Sequence, residues 1–340
     1  MVTIKDIAKE ANVSVTTVSR ALNGYSDVSD ETRKRIIEVA KRLNYSPNSI
    51  ARSLVMKKSQ TIGLLVSNLS REGTKDNFTY EVLCGINEAV SQSDYDLIVF
   101  NTTSAKQSEK TYTQLCRERR VDGVIIMGIK TNDPYLQEVV ESDIPCVLID
   151  IPIQSKTVGY VTTDNIKGAK EAVNYLLSLN HRKIGMINGH NEAFVSQQRL
   201  HGYKEALQEA CLPFDSSYVE NGEYTEEGAY KATVRLLSKH PEITALFCAS
   251  DLMALGAMQA AKDLGKQLPD ELSVIGYDDI LLSSYVTPSL STIRQDKFRI
   301  GEEAARMLIG MLEEETSHYV KLLDTQLIIR ESTKCLDCSS

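Results

Sequence analysis

The chain has 340 residues, of which 42% are hydrophobic and 25% charged, and its excess of Asp and Glu gives a net charge of −8. These values are ordinary for soluble globular proteins, and the length predicts two or three domains. No apolar run reaches the ~20 residues of a membrane span, and the N-terminus lacks a signal-peptide pattern. The chain has seven cysteines, an odd number. We therefore expect a cytoplasmic protein with free thiols.

The charge is unevenly distributed along the chain. Residues 1–58 carry a net charge of +5, whereas the remainder carries −13. A small basic segment joined to an acidic body suggests a module that binds a polyanion, attached to a body that does not. The alternative is a basic helix surface that is only solvated.

Three short helices are predicted in the first 46 residues. Apolar residues spaced three and four apart form the buried stripe of each helix. They are Ile4, Ile7, Ala8 and Ala11 in the first helix, Val18, Ala21 and Leu22 in the second, and Ile36, Ile37, Ala40 and Leu43 in the third. Ser14 and Ser29 stand where N-caps are expected, and Asn23-Gly24 ends the second helix, because glycine tolerates the left-handed conformation of a helix end.

The first two predicted helices are joined by a short turn, which is the geometry of a helix-turn-helix. The second helix of that motif lies in the major groove, with its N-terminal residues against base edges. Val15, Thr16 and Arg20 lie on the exposed side of this helix. Arginine can donate two hydrogen bonds to a guanine, and threonine and valine can contact other base edges. The alternative is a three-helix bundle with no nucleic-acid role.

Four segments in this region resemble a known family. TIKDIA at 3–8, VSVTTVSR at 13–20, YSPN at 45–48 and ARSL at 51–54 are similar to the N-terminal signature and hinge helix of the lactose/galactose repressor (LacI/GalR) family. The resemblance implies a DNA-binding domain at 1–46 that contacts operator DNA. The residues implied at that contact are Thr3, Ser14, Val15, Thr16, Thr17, Ser19, Arg20, Asn23, Ser29, Tyr45, Asn48, Ala51, Arg52 and Leu54.

A hinge is implied at residues 47–59. Pro47 suits the first turn of a helix, and the segment from 48 to 55 is only about two turns long, which is marginal for an isolated helix in water. By resemblance, two such helices order together in the minor groove of the operator, and Leu54 wedges between base pairs. The alternative for Leu54 is packing against its own domain.

From residue 61 onward, short apolar runs alternate with amphipathic stretches. Strands are predicted at 62–66, 97–100, 123–127, 147–149, 158–162, 184–187, 246–249, 274–277 and 327–329, and helices at 80–91, 106–119, 167–179, 199–210, 225–237 and 252–264. Continuous apolar strands between helices predict parallel sheets covered on both faces, and this number of strands predicts two lobes.

The resemblance extends over the body of the chain. It implies an α/β core at 60–340 with the periplasmic-binding-protein-like fold, built from two doubly wound parallel sheets. One lobe is expected at about 60–161 and 292–324, and the other at about 162–291 and 325–340.

Candidate ligand residues lie at predicted strand and helix ends, where open α/β sheets bind ligands. A sugar needs charged groups for its hydroxyls and an apolar face for its ring. Asp278 follows a strand, Arg199 is expected to open a helix, and Asp150 follows a strand of the other lobe. The family binds its effector at the positions of Arg199 and Asp278, and Tyr224, Phe78 and Ser250 match positions that line its pocket.

Two of these charged residues also have structural interpretations. Asp251 is expected to be the N-cap of the helix at 252–264 rather than a ligand group. Arg199 and Asp278 could form a salt bridge with no binding role.

Enzymatic function finds little support. The sequence has no phosphate-binding glycine loop, zinc-protease motif or nucleophile elbow. The five histidines lack metal-ligand spacing and are expected to be surface or hydrogen-bonded residues. Cys335 and Cys338 form a lone C-x-x-C that offers too few ligands for zinc. We therefore predict no catalytic residue, no metal and no cofactor.

The sequence predicts a cytoplasmic, homodimeric transcription regulator, most simply a repressor of a carbohydrate operon. Its partners would be double-stranded operator DNA and a small sugar or sugar-phosphate effector bound between the lobes. The alternatives are a small-molecule binding protein without a DNA role and an α/β enzyme acting on sugars or nucleotides. An export signal would favour the binding protein, and a catalytic constellation would favour the enzyme.

Overall fold

A computed structural model describes residues 2–22, 24–45, 58–67, 77–102, 110–315 and 319–336. Contacts divide the chain into two compact units, Met1–Gln60 and Thr61–Ser340. The predicted hinge lies outside the described residues except for 58 and 59. Outside them too lie Asn23, Asn48, Ala51, Arg52, Leu54 and Cys338.

The first unit contains the three predicted helices, α1 (Ile4–Glu10), α2 (Val15–Leu22) and α3 (Asp30–Arg42). Ile7, Val18 and Ile36 are fully buried at its centre, and each such side chain contributes about 1.5–3 kcal/mol through burial. Both predicted caps are present: Ser14 Oγ accepts a hydrogen bond from Thr17 N at 3.0 Å, and Ser29 Oγ accepts one from Thr32 N at 3.4 Å.

Lobe one of the second unit is a six-stranded parallel sheet. Its strands are β1 (Thr61–Ser67), β2 (Asp96–Thr102), β3 (Gly123–Met127), β4 (Cys146–Ile149), β5 (Val158–Thr163) and β11 (Val320–Leu323), in the spatial order β11-β5-β4-β3-β1-β2. Its helices are α4 (Phe78–Ser91), α5 (Tyr112–Arg119), α6 (Pro134–Val140) and α11 (Lys297–Leu312). Gly85 and Gly301 let α4 and α11 pack closely, because a Cβ on Gly301 would lie 2.0 Å from Val82 O.

Lobe two has the same plan. Its strands are β6 (Ile184–Asn188), β7 (Val219–Asn221), β8 (Ala245–Cys248), β9 (Ser273–Asp278), β10 (Ser291–Gln295) and β12 (Thr325–Ile328), in the order β12-β10-β9-β8-β6-β7. Only β12 runs antiparallel to its neighbour among these described strands. Its helices are α7 (Asn165–Ser178), α8 (Phe194–Glu209), α9 (Glu226–Lys239) and α10 (Asp251–Asp263).

The chain passes between the lobes after β5, after β10 and after β11. The predicted second boundary, at residues 291 and 292, is wrong, because β10 pairs with β9 and belongs to lobe two through Gln295. The first boundary also lies slightly later than predicted, since β5 continues to Thr163. In the described part of the chain, no helix combines the length and apolar character needed to cross a membrane.

Candidate functional site

The exposed face of α2 carries the residues predicted to read bases. Val15, Thr16 and Arg20 are exposed, whereas Val18 and Ala21 of the same helix are buried in the core of the first unit. Arg20 Nη2 lies 2.6 Å from Asp27 Oδ2, and the guanidinium lies 5.1 Å from the centre of the Tyr25 ring. The one arginine of α2 is therefore exposed and is oriented by two residues that follow the helix.

Several other predicted DNA contacts also have roles within this unit. Ser14 and Ser29 cap helices while remaining exposed, and the backbone N–H of Thr3 donates to Asp6 Oδ2 at 2.8 Å. Thr17 and Ser19 on α2 and Tyr45 after α3 are half-buried. Ser14, Ser29 and Thr3 are therefore exposed residues that also stabilise the first turns of helices.

A cavity of about 230 Å³ lies between the two lobes. All six residues predicted to contact an effector line it: Phe78 and Asp150 from lobe one, and Arg199, Tyr224, Ser250 and Asp278 from lobe two. Asp150 directly follows β4 and Asp278 ends β9. Both adopt positive φ angles, 62° and 115°, a conformation that costs a non-glycine residue on the order of 1–3 kcal/mol and is common at binding sites.

The sequence predicted that Arg199 opens a helix, and this prediction is wrong. Helix α8 begins at Phe194, and Arg199 lies in its second turn with only 3% of its surface exposed. Its Nε donates to Asn165 Oδ1 at 2.8 Å, and its guanidinium carbon lies 3.8 Å from the centre of the Tyr277 ring. These contacts fix the guanidinium against the cavity wall.

Arg199 and Asp278 form an ion pair but not a hydrogen bond. Nη1 lies 3.9 Å from Asp278 Oδ1, which is too long for a hydrogen bond, while Gln295 Nε2 donates to the same oxygen at 2.6 Å. The carboxylate and the guanidinium both line the cavity. Each therefore keeps hydrogen-bonding capacity that a ligand between them could use.

Burial raises the pKa of both cavity carboxyls. It raises the pKa of Asp278 to about 6, against the opposing effect of Arg199 and Lys297. It also raises the pKa of Asp150, although Thr162 Oγ1 donates to Asp150 Oδ1 at 2.6 Å. Clusters of perturbed carboxyls in a cleft are typical of ligand-binding sites.

Asp251 is not the N-cap that the sequence suggested. Ser250 caps α10 by accepting a hydrogen bond from Met253 N at 3.2 Å, and it also lines the cavity. Asp251 is fully buried and accepts hydrogen bonds from Ser283 Oγ, Thr292 Oγ1 and Ile280 N, at 2.6, 2.5 and 2.9 Å. It holds together segments of lobe two behind the cavity.

His190 was missed by the sequence reasoning. It lines the cavity, and its ring packs edge-on to Tyr224 with the ring centres 5.6 Å apart. The residue is half-buried, and its Nδ1 has no hydrogen-bond partner in the part of the chain that the structure describes. Burial and the nearby Lys130 lower the pKa of His190, which favours a neutral ring.

Comparison with known proteins gives matches over the whole chain. Residues 3–48 match the family model "Bacterial regulatory proteins, lacI family", and residues 173–333 match "Periplasmic binding protein-like domain". The chain is 38% identical over 338 residues to "Probable HTH-type transcriptional repressor ExuR" of Bacillus subtilis (strain 168), covering 99% of both chains.

Two solved structures extend this similarity. A complex of the transcriptional regulator CelR with cellobiose is 29% identical with a TM-score of 0.76, over 98% of this chain and 100% of that one. The lac repressor dimer bound to operator and the anti-inducer ONPF is 27% identical with a TM-score of 0.81, over 98% and 99% of the two chains. The chain belongs to the LacI family of bacterial regulatory proteins.

Proposed function

We propose that the protein is a transcriptional repressor whose affinity for operator DNA is controlled by a small sugar or sugar phosphate bound between the lobes. The observation that carries this proposal is the cavity itself, because residues from both lobes line it with carboxylates, a guanidinium and aromatic rings. A family relative binds cellobiose, and another binds operator DNA as a dimer. We therefore propose a cytoplasmic homodimer acting on a pseudo-palindromic operator.

The chemistry of the cavity suits a small polyhydroxylated ligand. Asp150 and Asp278 can accept hydrogen bonds from hydroxyls, Arg199 can donate them, and Phe78 and Tyr224 offer apolar faces for a ring. The volume of about 230 Å³ lies below the ~300–1,000 Å³ of pockets for drug-sized ligands. The size therefore favours a monosaccharide or its phosphate.

DNA binding is assigned to the first unit. Arg20, Thr16 and Val15 on α2 would contact base edges in the major groove, and the lysines and arginines of the basic segment would contact phosphates. A binding protein without a DNA role would have no use for this basic three-helix unit.

Ligand binding can control DNA binding only through a difference between two states of the protein. Because each lobe contributes part of the cavity wall, a ligand that contacts both walls stabilises the closed cleft over the open one. The DNA-binding unit joins lobe one directly ahead of β1. A change in the angle between the lobes would therefore be transmitted to that unit of each subunit.

A thermal-shift screen of the full-length chain against sugars and sugar phosphates tests the proposal, since a ligand that binds only the folded state raises its apparent stability. Because the chain has no tryptophan, a Phe194→Trp variant would carry a single tryptophan in the cavity wall, and its emission, excited selectively over that of the tyrosines, would give an independent titration. Each compound that binds is then added to a titration of operator DNA selected from a random pool.

We expect at least one sugar or sugar phosphate to raise the melting temperature and to change operator affinity. A chain that binds selected DNA but whose stability and fluorescence respond to no member of the library would contradict the effector proposal. A chain that binds a sugar but selects no DNA sequence would contradict the repressor proposal.

A further inference from the structure

Two loops from opposite lobes meet at one residue, Glu192. Residues 128–133 connect β3 to α6 in lobe one, and residues 189–193 connect β6 to α8 in lobe two. Lys130 Nζ forms an ion pair with Glu192 Oε2, and Asn132 Nδ2 donates to Glu192 Oε1 at 3.0 Å. Thr131 donates twice to the backbone oxygen of Glu192, from N at 3.1 Å and from Oγ1 at 2.9 Å.

These contacts lie where the cavity meets solvent. Lys130 and His190, one from each loop, line the cavity. The Lys130 side chain is nevertheless 56% exposed, and that of Glu192 is 42% exposed. The pair is therefore in contact with water on one side and borders the ligand space on the other.

We infer that Glu192 is the clasp of the cleft, the residue that holds the two lobes closed over the cavity and that must release before a ligand enters or leaves. Three consecutive residues of lobe one, Lys130, Thr131 and Asn132, attach to this single residue of lobe two. Separation of the loops breaks all four interactions together.

The strength of the clasp suits a part that opens and closes. An exposed ion pair by itself contributes little, because water and salt screen it. The hydrogen bond from Asn132 to the same carboxylate and the two from Thr131 to the Glu192 backbone oxygen add to it, and the four interactions form and break as one unit. The clasp therefore biases the equilibrium between open and closed cleft without locking it.

The inference concerns lobe closure and does not depend on the identity of the effector. A stronger clasp would raise the population of the closed state before any ligand binds, and a weaker one would lower it. Because a ligand shifts an equilibrium only by its differential affinity for the two states, the clasp sets the starting point from which an effector acts.

Amide hydrogen exchange of the full-length protein tests this directly. The Thr131 amide donates to the backbone oxygen of Glu192, and a substitution of the Glu192 side chain leaves that oxygen in place. Faster exchange at Thr131 in Glu192→Ala therefore reports separation of the loops and not loss of the acceptor. The matched control is Glu209→Ala, which removes an exposed carboxylate bonded to Lys170 at 2.6 Å within lobe two.

We expect exchange at Thr131 to be about tenfold faster in Glu192→Ala than in the wild type, because loss of the contacts between the loops lowers the free energy of local opening. Asn132→Ala, on the opposite lobe, removes one of the four interactions and should give a smaller increase at the same amide. Glu209→Ala should leave it unchanged. The amides of β6 and α8 should stay protected in every variant, which shows that lobe two remains folded.

Exchange at Thr131 that is the same in Glu192→Ala as in the wild type and in Glu209→Ala would overturn the inference. If the α8 amides lose protection in Glu192→Ala, the inference is tested with Asn132→Ala alone, because that substitution lies outside lobe two. No increase at Thr131 in that variant would then overturn the inference in the same way.

Discussion

Arg199 at the cavity and Arg20 on α2 are held in opposite ways. Arg199 is 3% exposed, donates to Asn165 and Ala249, and pairs with Asp278 in the interior of the core. The Arg20 side chain is 46% exposed and contacts Asp27 and Tyr25 at the surface of the first unit.

The difference shows two ways of preparing a charge for recognition. In the cavity, orientation is fixed before the ligand arrives, and the cost is a set of buried charges with shifted pKa values. On α2, the arginine lies at the solvent-exposed surface against Asp27 and Tyr25, and the base contacts proposed for it would form only on DNA. The core site should therefore respond to pH and to loss of packing, and the DNA-binding site to salt and base sequence.

The largest expected effect is on the stability of the core. Arg199→Ala removes the buried cation that pairs with Asp278 and leaves Asn165 Oδ1 and the Ala249 carbonyl without their donor, and we expect the free energy of unfolding of the core to fall by about 3–5 kcal/mol. The matched control is Arg235→Ala, which removes an exposed ion pair with Glu220 at 2.8 Å and should cost about 0–1 kcal/mol. Urea unfolding followed by circular dichroism measures both, and equal losses in the two variants would contradict the comparison.

The next effect is on ligand binding. Asp278→Ala removes a carboxylate that the interior holds in place, so affinity for a sugar found in the screen should fall about 100-fold, as for truncation of a buried charged partner. Operator affinity without the sugar should stay near the wild-type value, and the influence of the sugar on it should disappear. A variant that lost operator binding but kept its thermal response to the sugar would place Asp278 in the structure and not in the site.

The effect on α2 should appear in base discrimination. Arg20→Ala should reduce discrimination at one base pair per half-site by about 1–3 kcal/mol. Asp27→Asn keeps the size of the neighbour but removes the carboxylate that orients Arg20, and we expect a smaller loss at the same base pair. Competition binding against a set of single-base operator variants measures both, and uniform weakening across the set would make Arg20 a phosphate contact.

The smallest effect is the pH dependence of sugar binding. The pKa of Asp278 lies near 6, and only its ionised form accepts hydrogen bonds at both oxygens. Affinity should therefore fall as the pH is lowered through 6, by about fourfold between pH 7.5 and 5.5, as expected for titration of one group. Fluorescence titration of the Phe194→Trp protein measures this dependence.

Asp278→Asn is the control for that titration. Asp251, whose pKa burial raises to about 7, also titrates in this range but does not line the cavity. If the residual affinity of Asp278→Asn does not change between the two pH values, Asp278 is the responsible carboxyl. An unchanged pH dependence in that variant would assign the effect to another group.

The sequence predicted the elements whose pattern is local. Strand β3 is apolar and buried at every position, and Ser14 and Ser29 cap helices as serine oxygens do. Asp150 and Asp278 could be placed in the cavity because each stands at the end of an apolar strand and the ends of parallel strands meet there.

The elements that the sequence did not reveal depend on distant partners. Strand β10 was missed because its buried residues Ser291, Thr292 and Gln295 are polar, and each finds its hydrogen bonds elsewhere in the chain, as Thr292 does at Asp251. The start of α8 was misplaced because Ala193, its N-cap, makes no side-chain hydrogen bond there. Strands β7 and β11 were also missed, and helices α6 and α11 were not among the helical segments named from the sequence.

His190 in the cavity wall and Glu192 beside it gave no local signal in the sequence. His190 is a single histidine in a loop, and its place in the cavity depends on Tyr224, which is far along the chain. Glu192 contacts residues about 60 positions earlier in the sequence, as the Lys130 and Asn132 contacts show. Such contacts follow from the approach of the two lobes, which no short pattern encodes.

The amide of Gln295 has a consequence for anyone who would re-engineer the ligand preference. Its Nε2 donates to Asp278 in the cavity wall, and its Oε1 accepts from Thr163 Oγ1 at 2.5 Å. Gln295 ends β10 and Thr163 ends β5, and the chain passes between the lobes after each of these strands, so one side chain links the cavity wall to both crossovers. A mutant library that varies Phe78, Tyr224 or His190 alters only what the wall offers to a ligand. A library that also varies Gln295 would change the link between Thr163 and Asp278 together with the cavity wall, so it would alter the connection between the lobes and the ligand preference at once.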